Sequence, residues 1–175
     1  LSLTYPADFM LVAAMNPCPC GFLGDLVHDC SCPPAMLQRY RGKLSGPLLD
    51  RIDLHVEVPR VSHKDLTDVA PGESSSAIRQ RVNQARDIQR RRLAPFGLYA
   101  NSQMQARHIR RFCKLDSRGN ALLEQVTDKL GLSARSYTRI LKLARTIADL
   151  AQQEQMTPVH LSEAIQYRGL DRKAY

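Results

Sequence analysis

The 175 residues are 43% hydrophobic and 24% charged, the balance of an ordinary folded chain and unlike that of a disordered or collagenous one. The longest apolar run, Phe9-Met10-Leu11-Val12-Ala13-Ala14-Met15, is far short of the ~20 residues that a membrane-spanning helix needs, so neither a membrane segment nor a secretion signal is expected and the expected location is cytoplasmic. Twenty-five Lys and Arg against 17 Asp and Glu give a net charge of +8 and a pI near 9.5, which points to an anionic partner, nucleic acid or a nucleotide phosphate, without choosing between them.

The charge is divided unevenly. Residues 1–60 hold five basic and six acidic side chains and carry −1, whereas residues 61–175 hold 20 and 11 and carry +9. The pattern changes at the same place, from short apolar runs with Cys, Pro and Gly to long helical periodicity. A boundary is expected near Pro59, with a flexible link through Ala70-Pro71-Gly72-Glu73-Ser74-Ser75.

In chain order, Phe9 to Ala14 is a continuous apolar run of the kind shown by a strand buried on both faces, and a short buried helix would show the same run. A loop rich in Cys, Gly and Pro follows. Ser45 to Arg51 predicts a short helix, with Ser45 as cap and Pro47 in the first turn. The run Ile52 to Val58 alternates strictly, which predicts a strand with Ile52, Leu54, Val56 and Val58 on one face and Pro59 as its end. From there on the elements are helical. Ser76 to Leu93 places Ile78, Val82, Ala85 and Ile88 on one side and Arg79, Arg81, Arg86, Arg90, Arg91 and Arg92 on the others. Further helices are expected over Gln103 to Cys113 and Ser117 to Leu130, the latter stopped by Gly131. Ser133 to about Gln152 has an apolar stripe of Tyr137, Ile140, Leu141, Ala144, Ile147, Ala148 and Ala151. A last helix opens with Thr157 and Pro158 and ends before Gly169.

Four cysteines carry the first recognisable chemistry. Cys18, Cys20, Cys30 and Cys32 form C-x-C-x9-C-x-C, and four thiolates converging from two short turns suit the tetrahedral site of a structural zinc ion. Gly21 and Gly24 would allow the tight turn after the first pair. The spacing is closer than the usual C-x2-C knuckle; two disulfides or four free thiols are the other readings. His28 could replace one ligand, although an exposed loop histidine accounts for it equally simply. Cys113, in a helical pattern, reads as a small buried hydrophobe.

Three polar residues stand at telling positions. Asn16 follows the first apolar run, at the carboxyl end where ligands of open α/β sheets gather; an Asn-Pro pair there is also a plain turn. Arg51 closes the short helix in Gly46-Pro47-Leu48-Leu49-Asp50-Arg51 and otherwise would pair with Asp50 or Asp53. Arg135 is at the second position of a helix capped by Ser133, where a cation opposes the positive end of the dipole. An anion held by both the helix terminus and the guanidinium would remove that conflict.

The runs Phe9 to Gly21, Leu44 to Leu54 and Leu132-Ser133-Ala134-Arg135-Ser136-Tyr137 resemble, in the same order, the magnesium-chelatase-like AAA+ ATPases of bacteria, and within them the ComM/YifB branch. The resemblance implies a chain that is mainly α with a small α/β remnant: about two strands of an AAA+ core sheet with a Cys-rich, zinc-type loop over 1–60, a linker and long basic helix over 61–98, and a helical lid over 99–175. It implies that Asn16 is sensor 1, which positions the water attacking the γ-phosphate, that Arg51 is an arginine finger reaching a neighbouring subunit's nucleotide, and that Arg135 is sensor 2, a contact to phosphate from the lid. ATP, Mg2+, structural Zn2+, a hexameric homo-oligomer and DNA are the cofactors and partners it implies, with branch migration of imported DNA during competence and recombination as the work done; magnesium insertion into a porphyrin is the work of the chelatase relatives. Arg90, Arg91 and Arg92 are the expected DNA contacts. No G-x-x-x-x-G-K-[ST] phosphate loop and no apolar strand ending in Asp-Glu occurs in the 175 residues. The chain is therefore expected to be the C-terminal piece of a longer ATP hydrolase, inactive alone. A stand-alone zinc-containing nucleic-acid-binding module and a purely structural helical adaptor are the competing classes.

Overall fold

A computed structural model describes residues 3, 5, 9–25, 27–61, 67 and 72–168. The chain divides into two compact units, Leu1–Lys43 and Leu44–Tyr175, so the boundary expected near Pro59 falls inside the second unit. The link expected over residues 70–75 lies partly outside the described residues.

In the first unit the only regular element among the described residues is helix α1, Pro34–Arg41, where a loop is expected from the Cys, Gly and Pro content. Pro34 occupies its first position, where a missing N–H costs nothing, and Arg39 and Arg41 complement the negative end of its dipole. The strand expected over Phe9 to Ala14 is not formed: Phe9, Met10, Leu11 and Val12 are extensively exposed and no ladder pairs them. An apolar run reports what a segment is suited to bury, but a strand also requires a hydrogen-bonded neighbour, and none exists among the described residues.

The second unit is a helical bundle. Helix α2 (Gly46–Leu49) is capped by Ser45, whose Oγ accepts the Leu48 N–H at 3.3 Å. Helix α3 (Ser75–Leu93) is capped by Ser74. Two 3-10 turns, Ala94–Phe96 and Asn101–Gln103, lead into α4 (Ala106–Phe112), which replaces the single longer helix expected from Gln103. Helix α5 (Ser117–Leu130) has Asp116 as cap and ends in left-handed Gly131, φ 59°, a conformation that glycine alone adopts without strain. Helices α6 (Ala134–Leu150) and α7 (Pro158–Gln166) complete it. The expected stripe of α6 forms the centre of the core: Ile140, Leu141, Ala144, Ile147 and Ala148 are buried with Leu93, Met104, Ile109, Leu123, Leu161 and Ile165. Tyr137 and Ala151 stay outside it. Only the C-terminal half of α3 packs, through Ala85, Gln89 and Leu93, while Ile78 and Val82 remain exposed. No described helix is long and apolar enough to cross a membrane.

The second expected strand, Ile52 to Val58, is likewise irregular, and its burial is reversed. Leu54, Val56 and Val58 are exposed whereas His55 is buried. Its link to the bundle is polar: the His55 N–H donates to the Tyr167 carbonyl at 2.7 Å.

Inside the bundle, Asp149 is fully buried between two arginines. Arg92 donates to both of its oxygens, at 2.8 and 2.5 Å, and Arg145 donates from Nε at 3.1 Å. Asn101 adds its amide at 2.8 Å and also bonds Thr146. Arg145 then reaches the carbonyls of Gln153 (2.5 Å) and Glu154 (2.6 Å), beyond the left-handed Gln152 that ends α6. Removing the carboxylate leaves a buried guanidinium without its counter-charge, which costs about 3–5 kcal/mol in comparable sites. Asp149→Ala is therefore expected to lower unfolding stability by that order in denaturant titration, whereas Asp87→Ala, on the exposed side of α3, is expected to change it by well under 1 kcal/mol.

Helices α4 and α7 begin alike. In each, a histidine at the third position turns its Nδ1 back to accept the cap residue's N–H, His108 from Gln105 at 3.0 Å and His160 from Thr157 at 3.1 Å. Burial pushes both imidazoles below their usual pKa, with Arg107 beside the first and Arg145 beside the second acting in the same direction, and Glu163 opposing at the second. The folded state thus binds fewer protons than the unfolded one as pH falls below about 6.5, and stability is lost in that direction. The urea midpoint is expected to decline between pH 7.5 and 5.5, and His108→Gln with His160→Gln, which keep an acceptor at the same position, to flatten the decline.

Candidate functional site

In the first unit the two C-x-C turns meet. Gly21 and Gly24 have φ of 86° and 85°, and the Gly21 N–H closes a turn on the Cys18 carbonyl at 3.1 Å. Asp25 then accepts the N–H groups of Val27 (2.7 Å) and His28 (2.9 Å) through Oδ1 and directs the chain back toward Cys30. As a result the four sulfurs of Cys18, Cys20, Cys30 and Cys32 all lie within 4.8 Å of one another, with Cys18 buried. Sγ separations of 3.3, 3.7 and 3.6 Å for Cys18–Cys20, Cys18–Cys30 and Cys20–Cys30 compare with about 3.8 Å for the edge of a tetrahedron built on Zn–S bonds of ~2.3 Å. All four are free thiols rather than disulfides. The donor set is therefore compatible with zinc, and His28 is not in it: its ring lies edge-on to Phe22 at 5.0 Å.

Without a cation the four sulfurs share charge unequally. The Phe22 N–H and then the Cys18 thiol hold Cys20 down at about 6, while burial pushes Cys32 up to about 12. A divalent ion removes this competition by stabilising every thiolate at once. Asn16 sits two residues before Cys18, exposed, with its carbonyl accepting the Tyr40 hydroxyl of α1 at 3.0 Å. Helix α1 thus fixes the main chain of Asn16.

In the second unit Arg51 and Arg135 come from positions far apart in sequence to one junction. Ser136, buried in the first turn of α6, donates through Oγ to Asp50 at 3.0 Å. Arg51 and Arg135 are the immediate neighbours of those two residues, and both are exposed. The junction is reinforced by Arg139 with Asp53, and by fully buried Arg168, which donates to the Ile52 carbonyl and, at 3.0 Å, to Ser136 Oγ. Arg51 does not pair with Asp50 or Asp53. Its guanidinium donates to the Pro47 carbonyl at 2.8 Å, and among the described residues it has no ion pair. Arg135 stands at the positive end of α6, exposed, and among the described residues its side chain has no ion pair.

The arginines of α3 are less available than their number suggests. Arg81 is held by Glu73, Arg90 faces Asp87 at 3.3 Å, and Arg91 donates to the Asp87 carbonyl. Arg92 is turned inward to Asp149, because the last turn of α3 packs on α6. Arg168 escaped the sequence reading altogether, since a lone arginine after a helix resembles any solvated C-terminal cation.

The family description "Magnesium chelatase, subunit ChlI C-terminal" matches residues 72–168, and "Magnesium chelatase, subunit ChlI" matches residues 1–66. The chain is 46% identical to the uncharacterized protein YifB of Escherichia coli over 97% of its own length and 33% of the relative's, and 43% identical to the competence protein ComM of Haemophilus influenzae over 97% and 32%. It is also 42% identical to the uncharacterized protein Rv2897c of Mycobacterium tuberculosis over 84% and 29%. It thus spans about a third of the length of these relatives, and it belongs to the magnesium-chelatase-like family that contains YifB and ComM.

Proposed function

We propose that the chain is the C-terminal part of a ring-forming, hexameric AAA+ ATPase of the ComM type, which couples ATP hydrolysis to the remodelling of DNA. The observation that supports this reading is the Asp50–Ser136 bond, which joins the sequence neighbours of Arg51 and Arg135. An exposed arginine in the first turn of α6, with a second exposed guanidinium supplied by Arg51, suits a polyphosphate. Phosphoryl transfer is catalysed chiefly by positioning and by cations around the transferring group, so Arg51 stabilises charge on the phosphoryl group and Arg135 holds the phosphates from the lid. Asn16 orients the attacking water through its carboxamide. The phosphate loop and the acidic pair that binds Mg2+ are not among these 175 residues and belong, on this reading, to the rest of the parent protein. The name of the H. influenzae relative, a competence protein, agrees with DNA as the substrate, and Arg90 and Arg91 on the outer side of α3 offer it an unspecific phosphate contact.

Cys18, Cys20, Cys30 and Cys32 hold a structural zinc ion, which supplies the cross-link that so small a unit lacks in apolar core. One equivalent of zinc per chain is expected on metal analysis, falling to none in Cys18→Ser with Cys20→Ser. Limited proteolysis of that variant is expected to cleave within residues 9–43 while the thermal transition of the helical bundle stays in place. Zinc-free wild-type protein with four titratable thiols in this loop would overturn the assignment.

In the full-length protein, Arg51→Ala is expected to lower the ATP turnover number by about a thousandfold or more, with nucleotide affinity nearly unchanged, whereas Arg135→Ala weakens nucleotide binding as well. Ser136→Ala, which removes the junction but neither cation, is expected to fall between wild type and Arg51→Ala in turnover. Wild-type turnover in Arg51→Ala would return this arginine to a structural role.

A further inference from the structure

The most strongly charged surface of the bundle that no role above uses lies on α4 and the start of α5. Arg107, Arg110 and Arg111 lie within α4, the first two one turn apart, and Lys114 follows two residues beyond its end. Arg118 follows in the first turn of α5. All five are exposed, and among the described residues none forms an ion pair. The single acid among them, Asp116, uses Oδ1 to cap α5 through the Gly119 N–H at 2.7 Å. Arg111 is steadied against the rings of Phe96 and Phe112, 5.4 Å from each, which holds its guanidinium in place while leaving its N–H groups to a ligand.

Beside this row is a groove of about 450 Å³. Arg110 and Lys114 stand on its rim, Ile109, Leu115 and Leu141 give it an apolar wall, and Tyr137 of α6 contributes a ring that is 38% exposed although it belongs to the apolar stripe of its helix. Arg107 also donates to His108 Nε2 at 3.2 Å, and the other cations keep N–H groups for a ligand. A surface that combines exposed cations with an aromatic face fits a ligand that alternates phosphates with flat apolar groups. We infer that the α4–α5 face is a binding site for single-stranded nucleic acid, with the row of cations following the backbone and a base stacking on Tyr137 in the groove. An acidic peptide matches the cations but leaves the aromatic wall without a partner. Seven residues of helix cover about 10 Å, the length of roughly three phosphates at 3.4 Å spacing in a stacked strand. This site goes beyond the contact proposed on α3, whose arginines are largely engaged, and it does not depend on the ATPase assignment because it needs no nucleotide.

The test is binding of a fluorescent oligothymidylate to the 175-residue chain without ATP, across a salt series. A slope of about −2 in log affinity against log salt is expected, from three phosphates at about 0.7 each. Arg110→Ala with Lys114→Ala should bring the slope close to −1 and weaken binding at least tenfold. Tyr137→Ala should weaken it about tenfold and leave the slope unchanged, since stacking carries no counterion. Tyr137→Phe, which keeps the ring, should bind as wild type and show that the bundle is intact. Wild-type binding in Tyr137→Ala would overturn the site. So would loss of binding in Arg90→Ala with Arg91→Ala alongside normal binding in the Arg110/Lys114 variant, or displacement of the oligonucleotide by polyglutamate as effective as that by unlabelled oligothymidylate.

Discussion

The carboxylate of Asp149 is the constraint around which the helical unit is arranged. It is fully buried, and a buried charge is tolerated only with partners in good geometry. Those partners arrive from three places, Arg92 from the end of α3, Asn101 from the turn after it, and Arg145 from the preceding turn of α6. Each fixes the path of its own segment. The last turn of α3 must face α6, the second 3-10 turn must close against Thr146, and the chain after α6 must reverse so that two carbonyls meet Arg145. The apolar core supplies most of the driving force for folding, as in any domain. The polar cluster specifies which of several similar helix packings is adopted.

The same reasoning explains what was readable beforehand. Helix α5 was legible in its bounds, with Gly131 as its stop, while its cap Asp116 emerges from the structure. Helix α6 was legible through the spacing of its apolar stripe, and only Tyr137 and Ala151 at its ends failed to bury. What could not be read was contact across distance. Nothing in the string Arg90-Arg91-Arg92 marks the third as an internal ligand of an aspartate 57 residues on. The apolar alternation of Ile52 to Val58 predicts a buried face that does not form, because the attachment is made by the intervening Asp53 and His55, and a pattern suited to a sheet is joined to a helical bundle by its polar side.

The candidate sites divide along the same line. The cysteine cluster followed from spacing and turn glycines alone, since both C-x-C pairs lie in a loop short enough for local geometry to bring them together. Arg51 and Arg135 were pointed to by family resemblance, and the segments that carry them are joined by a hydrogen bond between Asp50 and Ser136, 86 positions apart. Arg168 beneath that bond has no sequence signature. Its value to the junction lies in joining a main-chain carbonyl and a serine hydroxyl that would otherwise be buried with fewer partners.

Two guanidinia share one carboxylate at the heart of the bundle, and the excess is balanced by the peptide dipoles of Gln153 and Glu154 rather than by a second acid. Dipoles satisfy hydrogen-bonding capacity without cancelling net charge. Arg145 is buried and Arg92 only partly exposed, so this charge is screened less than that of a surface lysine and adds to the potential of the cations outside. Part of the positive potential of this unit is thus built into its core, where exchanging surface residues does not reach it.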